Sequence, residues 1–309
     1  MSAPEKIPLA AECRALQRSE RAAVDGWSRV ARRWGHVALS RVVGGRAATE
    51  WMLDRALKSA AASGAGSAFA VPLPYALEGF RERLCLELPT TLLGQRLADW
   101  VQCGRQVIHV GDYFLGLGGW DAISYPFSKT GVMREAAELS RLDLDYKSTP
   151  SYRNYKKAID AGRPIRRNKV ALSSEALLDA YFERYLGLFR SIRQRGVLPL
   201  RDARELTTGP AAESEVRRYR TEAGERDIGI AIGPLGRIYC LPGGKHRAAI
   251  ATVLGIPSVP VEVRMVHAEW VRGVQVRYGV APAEAVRRGL RELASHVHGV
   301  AVATETTDR

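Results

Sequence analysis

The sequence predicts an α+β protein in which a helical amino-terminal region precedes a mixed α/β domain and carboxy-terminal helices. Three observations support this class: apolar residues recur at helical spacing in Ala47–Ala62 and Glu175–Arg195, isoleucines alternate over 228–232, and valines alternate over 259–263. Helical spacing buries one face of a helix, whereas alternation buries one face of a strand. We predict a helical region over 1–105, a connecting segment over 106–170, the α/β domain over 171–270, and helices with a tail over 271–309.

The region 1–105 contains three predicted helices, over Arg14–Gly35, Ala47–Ala62 and Leu93–Val101. A run of small residues at 61–67 interrupts the apolar pattern and predicts a break. No catalytic motif occurs here, and the region is interpreted as a scaffold or a partner contact.

The connecting segment begins with a predicted strand over Gln106–Val110, followed by the glycine- and aromatic-rich run Gly111–Asp121, which we interpret as a structured loop. Helices are predicted over 128–140 and 152–161. A basic run then extends from 153 to 169, with seven basic residues against one acid. Such a run is typical of a solvated face or of a surface that contacts polyanions.

The longest predicted helix, Glu175–Arg195, carries signals at both ends. Ser173 or Ser174 can cap its amino terminus, Glu175 complements the dipole of its first turn, and Gly196 suits the left-handed stop.

Two short strands and a short helix follow the long helix. The pattern predicts a strand over 228–232 with one buried face, a turn over 233–236 and a returning strand over 237–241. After Pro242, Gly243 and Gly244 break the chain, a short helix runs over 246–254, and Gly255 stops it. A third strand, helices over 268–278 and 282–296 and a frayed tail from Ala301 complete the prediction.

The composition limits the classes of partner. A formal charge of +13, from 46 Lys and Arg against 33 Asp and Glu, favours polyanions such as nucleotides, nucleic acid, phospholipid surfaces or anionic glycans. Arginine predominates over lysine, a bias that a high-GC bacterial genome would also produce, so the charge alone does not indicate nucleic acid.

Other features of the composition concern the compartment. The four cysteines are scattered without the spacing of a zinc site, and no apolar run reaches the ~20 residues of a membrane span. The amino terminus lacks a signal-peptide core. These features predict a cytoplasmic protein.

The turn at Gly243–Gly244 is the strongest functional signal. A strand that ends in two glycines and opens into a helix presents free backbone N–H groups and a positive dipole, which together bind phosphate. Lys245, His246 and Arg247 supply up to three side-chain donors at that point. The turn lacks the spacing of a Walker A loop.

Two segments around this turn resemble the ParB/sulfiredoxin superfamily. Residues 189–200 are similar to the box that opens ParB-type domains, and residues 236–263 are similar to the box shared by ParB, sulfiredoxins and free-serine kinases. The resemblance covers about a quarter of the chain and implies a nucleotide-binding domain with Gly243–Arg247 at the phosphates.

Two differences from this family disfavour two of the functions that the resemblance could imply. Sulfiredoxins carry a reactive cysteine where this chain has Lys245, and ParB proteins continue into a helix-turn-helix for which the residues after Arg264 are too few. The kinase-like members hold ATP or ADP and use a carboxylate near the preceding helix as base. Glu175, followed by Asp179, is the candidate for that base, and Asp112 or Asp121 is a candidate to help hold Mg²⁺.

The predicted function is therefore an ATP- or ADP-dependent phosphotransferase acting on a hydroxyl of a small-molecule or glycan-like acceptor. The alternative is a ParB-like regulatory protein that binds CTP or ATP and contacts DNA, with Arg163, Arg166 and Arg167 on the polyanion. A third interpretation is a nuclease-like or purely structural domain that keeps the fold. The simplest structural roles also stay open: a buried His246, a dipole-complementing Glu175, and loop-shaping acids at Asp112 and Asp121.

Overall fold

The computed structural model describes residues 13–15, 45–63, 69–80, 84–103, 106–167, 170–199 and 227–305. These ranges contain eight α-helices and thirteen strands. The helices are α1 (Gly45–Ser63), α2 (Leu73–Phe80), α3 (Gly131–Arg141), α4 (Pro150–Asp160), α5 (Glu175–Arg195), α6 (Lys245–Val253), α7 (Ala268–Tyr278) and α8 (Pro282–Glu305). No helix within these ranges combines the length and the apolar character needed to cross a bilayer.

The strands form one large mixed sheet and two small antiparallel ones. They are β1 (Cys13–Ala15), β2 (Phe69–Pro72), β3 (Cys85–Pro89), β4 (Gln95–Leu97), β5 (Trp100–Cys103), β6 (Gln106–His109), β7 (Tyr113–Gly116), β8 (Ser124–Pro126), β9 (Arg166–Arg167), β10 (Val170–Ala171), β11 (Ile228–Ile232), β12 (Ile238–Cys240) and β13 (Ser258–His267). The large sheet has the order β2-β7-β13-β11-β12-β4-β8, with β3 also paired to β13. The small sheets are β1-β5-β6 and β9-β10.

The ten-residue strand β13 is the centre of the large sheet. Its first half, Ser258–Glu262, pairs antiparallel with β3, and its second half pairs in parallel with β7 at Val266 and His267. Along its other edge it pairs in parallel with β11. Strands from residues 69–126 and from residues 228–267 therefore share one sheet.

Apolar side chains cover both faces of this sheet. Ile230 and Ile232 face a large cluster that includes Ala248 and Ile250 of α6, whereas Ala231 faces a smaller cluster that includes Trp120. All five residues of β11 are buried, so the prediction that only one face of this strand is buried is wrong. Each fully buried large apolar side chain contributes about 1.5–3 kcal/mol.

Most predicted helices are confirmed. Helix α1 and helices α3 to α8 lie where the apolar periodicity placed them, and α8 continues to Glu305 through most of the tail predicted to fray. The helix predicted over Arg14–Gly35 falls almost entirely outside the described residues, and its first two residues lie in β1.

The two end signals of α5 are also confirmed. The Ser174 hydroxyl accepts a hydrogen bond from the Leu177 N–H at 3.3 Å, so Ser174 and not Ser173 caps the helix. Gly196 ends the helix with a φ of 71°. Glycine suits this position because a Cβ is disfavoured in the left-handed region.

The prediction of a helix over Leu93–Val101 is wrong. A 3₁₀ turn ends at Gly94, and strands β4 and β5 follow, with Arg96 of β4 in register with Cys240 of β12. Pairing with a strand far along the sequence overrides the local helical spacing. Because β2, β3, β4 and β5 all lie within residues 69–103, the region predicted as helical contributes strands as well as helices.

The prediction of a loop over Gly111–Asp121 is wrong in part, because the segment contains β7. A Cβ on Gly116 would lie 2.0 Å from the indole nitrogen of Trp120. The glycine here makes room for a fully buried ring instead of marking a loop.

We expect the Ser174→Ala substitution to lower the free energy of unfolding by about 1 kcal/mol, because it removes the cap of α5. The neighbouring Ser173→Ala substitution is the control and should change it by less than about 0.5 kcal/mol. Urea unfolding of both variants measures the difference. Equal losses in the two variants would contradict the assignment of the cap.

Candidate functional site

Residues 241–244 lead directly from the end of β12 into the first turn of α6. Gly243 and Gly244 have φ angles of 114° and 67°, which side chains with a Cβ rarely adopt. A Cβ on Gly244 would also lie 2.6 Å from the Ile228 Cα and 2.8 Å from the Asp227 carbonyl oxygen. Position 244 therefore requires glycine both for its conformation and for the close approach of β11.

Helix α6 begins without a side-chain cap, because its cap residue is Gly244. The first backbone N–H groups of a helix have no partner within the helix, and the positive end of the helix dipole lies at the same place. An uncapped helix start of this kind attracts an anion.

The three side chains after the turn point in different directions, since successive residues of a helix are about 100° apart. The His246 ring packs edge-on against Tyr185 of α5, with 5.2 Å between ring centres. Arg247 is fully buried and pairs with Asp227 at 3.3 Å. Lys245 is half-buried. The structure thus does not bring the three side chains together as one clamp.

His246 lies on the inner side of α6. Burial, assisted by the positive charges of Lys245 and Arg184, lowers the pKa of His246 to about 3. The imidazole is therefore neutral at pH 7, which matches the structural role that its sequence position left open.

Lys245 forms no hydrogen bond or ion pair with any residue that the structure describes. Burial lowers the pKa of Lys245, and the charge of Arg96 lowers it further, while Asp99 and Glu135 act in the opposite direction. The charges of two arginine–carboxylate pairs, Arg96 with Asp99 and Arg167 with Glu135, therefore influence the pKa of Lys245.

Arg96 reaches the site because β4 runs parallel to β12 with Arg96 in register with Cys240. Its side chain is 5% exposed and forms an ion pair with Asp99, and its Nε donates to the Tyr125 hydroxyl at 3.0 Å. Its Nη1 is buried and has no hydrogen-bond partner in the described part of the chain. A buried donor of this kind costs about 1–3 kcal/mol unless an acceptor satisfies it.

A buried carboxylate lies at the same site. Glu135 of α3 is 1% exposed and accepts hydrogen bonds from Arg167 Nη2 at 2.8 Å, from the Tyr181 hydroxyl at 2.6 Å and from the Tyr155 hydroxyl. Burial, followed by the charge of Glu135, raises the pKa of Tyr155 and of Tyr181. Strongly perturbed pKa values of this kind are enriched at functional sites.

The sequence reasoning missed both Arg96 and Glu135. Because Leu93–Val101 was wrongly predicted as a helix, the position of Arg96 beside β12 was not predicted. The sequence did contain a signal for Glu135. This acid falls on the same face of α3 as the apolar Val132 and Ala136, and an acid on a buried face is usually paired.

The other predicted site residues lie elsewhere. Glu175 is exposed on the first turn of α5 and pairs with Lys156 at 2.6 Å. It precedes Tyr185, the residue that contacts His246, by ten positions, which is about 15 Å along a helix. Burial raises the pKa of Tyr239, and the charge of Asp121 raises it further. The Tyr239 side chain belongs to the cluster on the sheet face opposite α6, so Asp121 lies on that side of the sheet.

The remaining candidates divide between surface and interior. Asp112 lies 3.4 Å from the His109 ring nitrogen, and Asp179 accepts from the Tyr152 hydroxyl at 2.7 Å. Arg163 and Arg166 are exposed, whereas Arg167 is directed inward to Glu135. Of the predicted site residues, Gly243, Gly244 and Lys245 therefore lie together at the start of α6, and the charge of Arg167 influences the pKa of Lys245.

Comparison of the chain with protein-family models, with curated proteins and with solved structures finds no match. The resemblance to the ParB/sulfiredoxin superfamily stays a prediction. The geometry around α6 is therefore the basis for the function proposed below.

We expect the Gly244→Ala substitution to destabilise the protein more than Gly255→Ala does. Both glycines have nearly the same φ, 67° and 66°, but no atom lies within 4 Å of a Cβ built at Gly255. The conformational cost of about 1–2 kcal/mol applies to both, and the contact with Ile228 adds to it only at Gly244. Urea unfolding compares the two variants, and equal losses would show that β11 does not restrict this turn.

We expect His246 to make the stability depend on pH. Its folded-state pKa of about 3 lies below its ordinary value of 6.5, so the unfolded state takes up the proton first as the pH falls. The free energy of unfolding should then decrease between these two values by up to about 1.4 kcal/mol per pH unit. Urea unfolding at about pH 7, 6 and 5 should show a shallower decrease for His246→Gln, and an unchanged slope would contradict the prediction.

Proposed function

We propose that the protein binds the phosphate groups of a nucleotide, ATP or ADP, at the amino terminus of α6 and transfers a phosphoryl group to an acceptor hydroxyl. The acceptor is a small molecule or a glycan-like compound. One observation carries the proposal: the buried Arg96 Nη1 has no hydrogen-bond partner among the described residues. The charge of Arg96 also lowers the pKa of Lys245, the first residue of the uncapped helix α6.

Each group at this site favours phosphate over a neutral ligand. The N–H groups of the first turn of α6 donate, Lys245 acts as a point charge, and the planar guanidinium of Arg96 fits phosphate oxygens. A hydrogen bond to a charged group contributes about 1.5–3 kcal/mol. Because Arg96 and Lys245 are largely withdrawn from water, their attraction for an anion is stronger than at an open surface.

Phosphoryl transfer suits such a site because it requires positioning and charge stabilisation more than covalent participation by the protein. In this proposal Arg96 and Lys245 donate to the oxygens of the transferring group. Arg96 is held before the ligand arrives by Asp99 and Tyr125, whereas only the backbone of Lys245 is fixed, by the first turn of α6.

The transfer also requires a carboxylate near the acceptor hydroxyl. The carboxylates of Asp99 and Glu135 both raise the pKa of Lys245. Glu135 is buried and already accepts three hydrogen bonds, so it is not free to serve as the base. The Asp99 side chain is 39% exposed, so an acceptor can reach it. We therefore assign the base to Asp99 in place of Glu175.

Phosphotransferases commonly use Mg²⁺, which is held by one or two carboxylates together with the substrate phosphates. Within the described ranges, no three His, Cys, Asp or Glu side chains form a group that could hold a metal ion. Asp99 and Glu135 are each paired with an arginine. The described residues therefore build no metal site of their own, and a Mg²⁺ ion would be held mainly by the substrate phosphates.

We expect Lys245→Ala to weaken ADP binding at least about tenfold, because it removes a charge-assisted contact to phosphate. Asp99→Asn should retain most of that binding but abolish acceptor-dependent formation of ADP from ATP. Calorimetry measures the binding, and a coupled assay with mixed hydroxyl-bearing metabolites measures the turnover.

The exposed Lys157→Ala on α4 is the matched control, since it removes a lysine of the same charge away from α6. It should bind and turn over like the unaltered protein. Undiminished nucleotide binding by the Lys245→Ala variant would refute the proposed site, and undiminished turnover by the Asp99→Asn variant would refute the assigned base.

A further inference from the structure

Two arginines from different elements meet at the first residue of α3. Helix α3 begins at Gly131, and Arg134 lies about one turn further along it, whereas Arg167 comes from strand β9. A Cβ built on Gly131 would lie 3.6 Å from Arg167 Nη2 and 3.8 Å from Arg134 Nη2. Both guanidinium groups therefore reach within 4 Å of one point beside the Gly131 backbone.

Arg167 is held in this position by its contacts. Its side chain is 25% exposed, its Nη2 donates to Glu135 at 2.8 Å and to the Tyr155 hydroxyl, and its guanidinium lies 4.8 Å from the centre of the Tyr155 ring. The buried Nε of Arg167 has no hydrogen-bond partner among the described residues. A side chain that is already ordered loses little conformational freedom when a ligand binds.

Arg134 is exposed, and its guanidinium forms no hydrogen bond or ion pair with any residue that the structure describes. Glu135 compensates the charge of Arg167, but no acid in the described ranges pairs with Arg134. Two like charges that approach the same point repel each other, and an anion between them converts the repulsion into attraction. The pair of arginines therefore favours an anionic ligand.

The helix start contributes further donors beside the two arginines. The Thr130 hydroxyl accepts from the Met133 N–H at 3.3 Å, and the N–H groups of Gly131 and Val132 bond to none of the described residues. The first N–H groups of a helix lie at the positive end of its dipole. An anion that contacts both guanidinium groups beside Gly131 also lies near these N–H groups.

The charges indicate which kind of anion fits. Arg134 and Arg167 together with the Glu135 carboxylate leave one positive charge, to which the helix start adds about half a charge. A phosphoryl group carries about −1.5 to −2 at neutral pH and matches this sum more closely than a carboxylate does. Its oxygens can also accept from both guanidinium groups at once.

We propose that Arg134 and Arg167 bind one phosphoryl group beside Gly131, at the start of α3. The ligand is inorganic phosphate or the phosphoryl group of a phosphomonoester. Glu135 and Tyr155 are positioning residues that hold Arg167. This site is additional to the nucleotide site proposed at the start of α6 and does not depend on it.

Calorimetric titration of the full chain tests the site, with inorganic phosphate in one arm and glycerol phosphate in the other, at constant low ionic strength. We expect Arg134→Ala to lower the affinity for phosphate about tenfold, equivalent to one charge-assisted hydrogen bond. Arg141→Ala is the matched control, because it removes an exposed arginine from the other end of the same helix, and it should leave the affinity unchanged.

The two arms distinguish the sources of the phosphoryl group. Binding of both probes supports a site for phosphomonoesters, and binding of inorganic phosphate alone supports a site for the free ion. Equal phosphate affinity in Arg134→Ala and in the unaltered chain overturns the proposal, as does the absence of binding in both arms.

Gly131→Ala tests the position of the anion without removing a charge. It places a methyl group at the point that both guanidinium groups approach. Gly131 does not have a positive φ, and contacts of 3.6 and 3.8 Å are ordinary ones, so the variant should fold at least as stably as the unaltered chain. We expect it to bind phosphate about tenfold more weakly, and undiminished binding would overturn the assigned position.

Spectroscopy shows whether both arginines contact the same ligand. The Nε–H resonances of Arg134 and Arg167 are identified by their absence from the nitrogen-15 spectra of Arg134→Lys and Arg167→Lys. Both resonances should shift during a titration with inorganic phosphate, with the same dependence on its concentration. A shift of only one of them, or of neither, overturns the shared site.

The same titrations in the Lys245→Ala background separate this site from the proposed nucleotide site. We expect phosphate binding that depends on Arg134 to persist in Lys245→Ala, and ADP binding that depends on Lys245 to persist in Arg134→Ala. Loss of all phosphate binding in Lys245→Ala overturns the site at α3. ADP binding that does not depend on Lys245 refutes the nucleotide site at α6 and leaves the site at α3 supported.

Discussion

The contact between the Gly244 backbone and the start of β11 determines the geometry of the whole site. A Cβ at this position would overlap Ile228, so a residue other than glycine would force the start of α6 and β11 apart. Arg264 secures the contact from the other side, with donors to the Pro242 and Asp227 carbonyl oxygens at 3.3 and 3.1 Å. With the start of α6 held in this way, Arg247 pairs with Asp227, and the charge of Arg96 influences the pKa of Lys245.

This constraint explains why Lys245, His246 and Arg247, which are adjacent in the sequence, have different surroundings in the structure. Adjacent side chains of a helix point in directions about 100° apart. His246 and Arg247 instead attach α6 to α5 and to β11. The cations that accompany Lys245 come from β4 and β9, which are distant from it in the sequence.

The parts of the fold with local signals were predictable. Apolar periodicity, a serine cap and a terminal glycine located α5 correctly, and paired glycines located the start of α6. The site was predictable only at Gly243, Gly244, Lys245 and Arg167. Arg96 depends on a pairing between β4 and β12 that joins positions 144 residues apart, and Glu135 depends on tyrosines from two other helices. A short stretch of sequence contains no signal for contacts between residues that are so far apart along the chain.

The position of β13 at the centre of the sheet has a consequence for the way the chain is made. Strands β2, β3 and β7 emerge from the ribosome long before β13, the strand that pairs directly with β3 and β7. Until about residue 267 has been synthesised, these strands present unsatisfied edges of the kind that promote aggregation. Late assembly of non-local strand pairs also slows folding. The nascent chain is therefore expected to depend on chaperone protection for most of its synthesis.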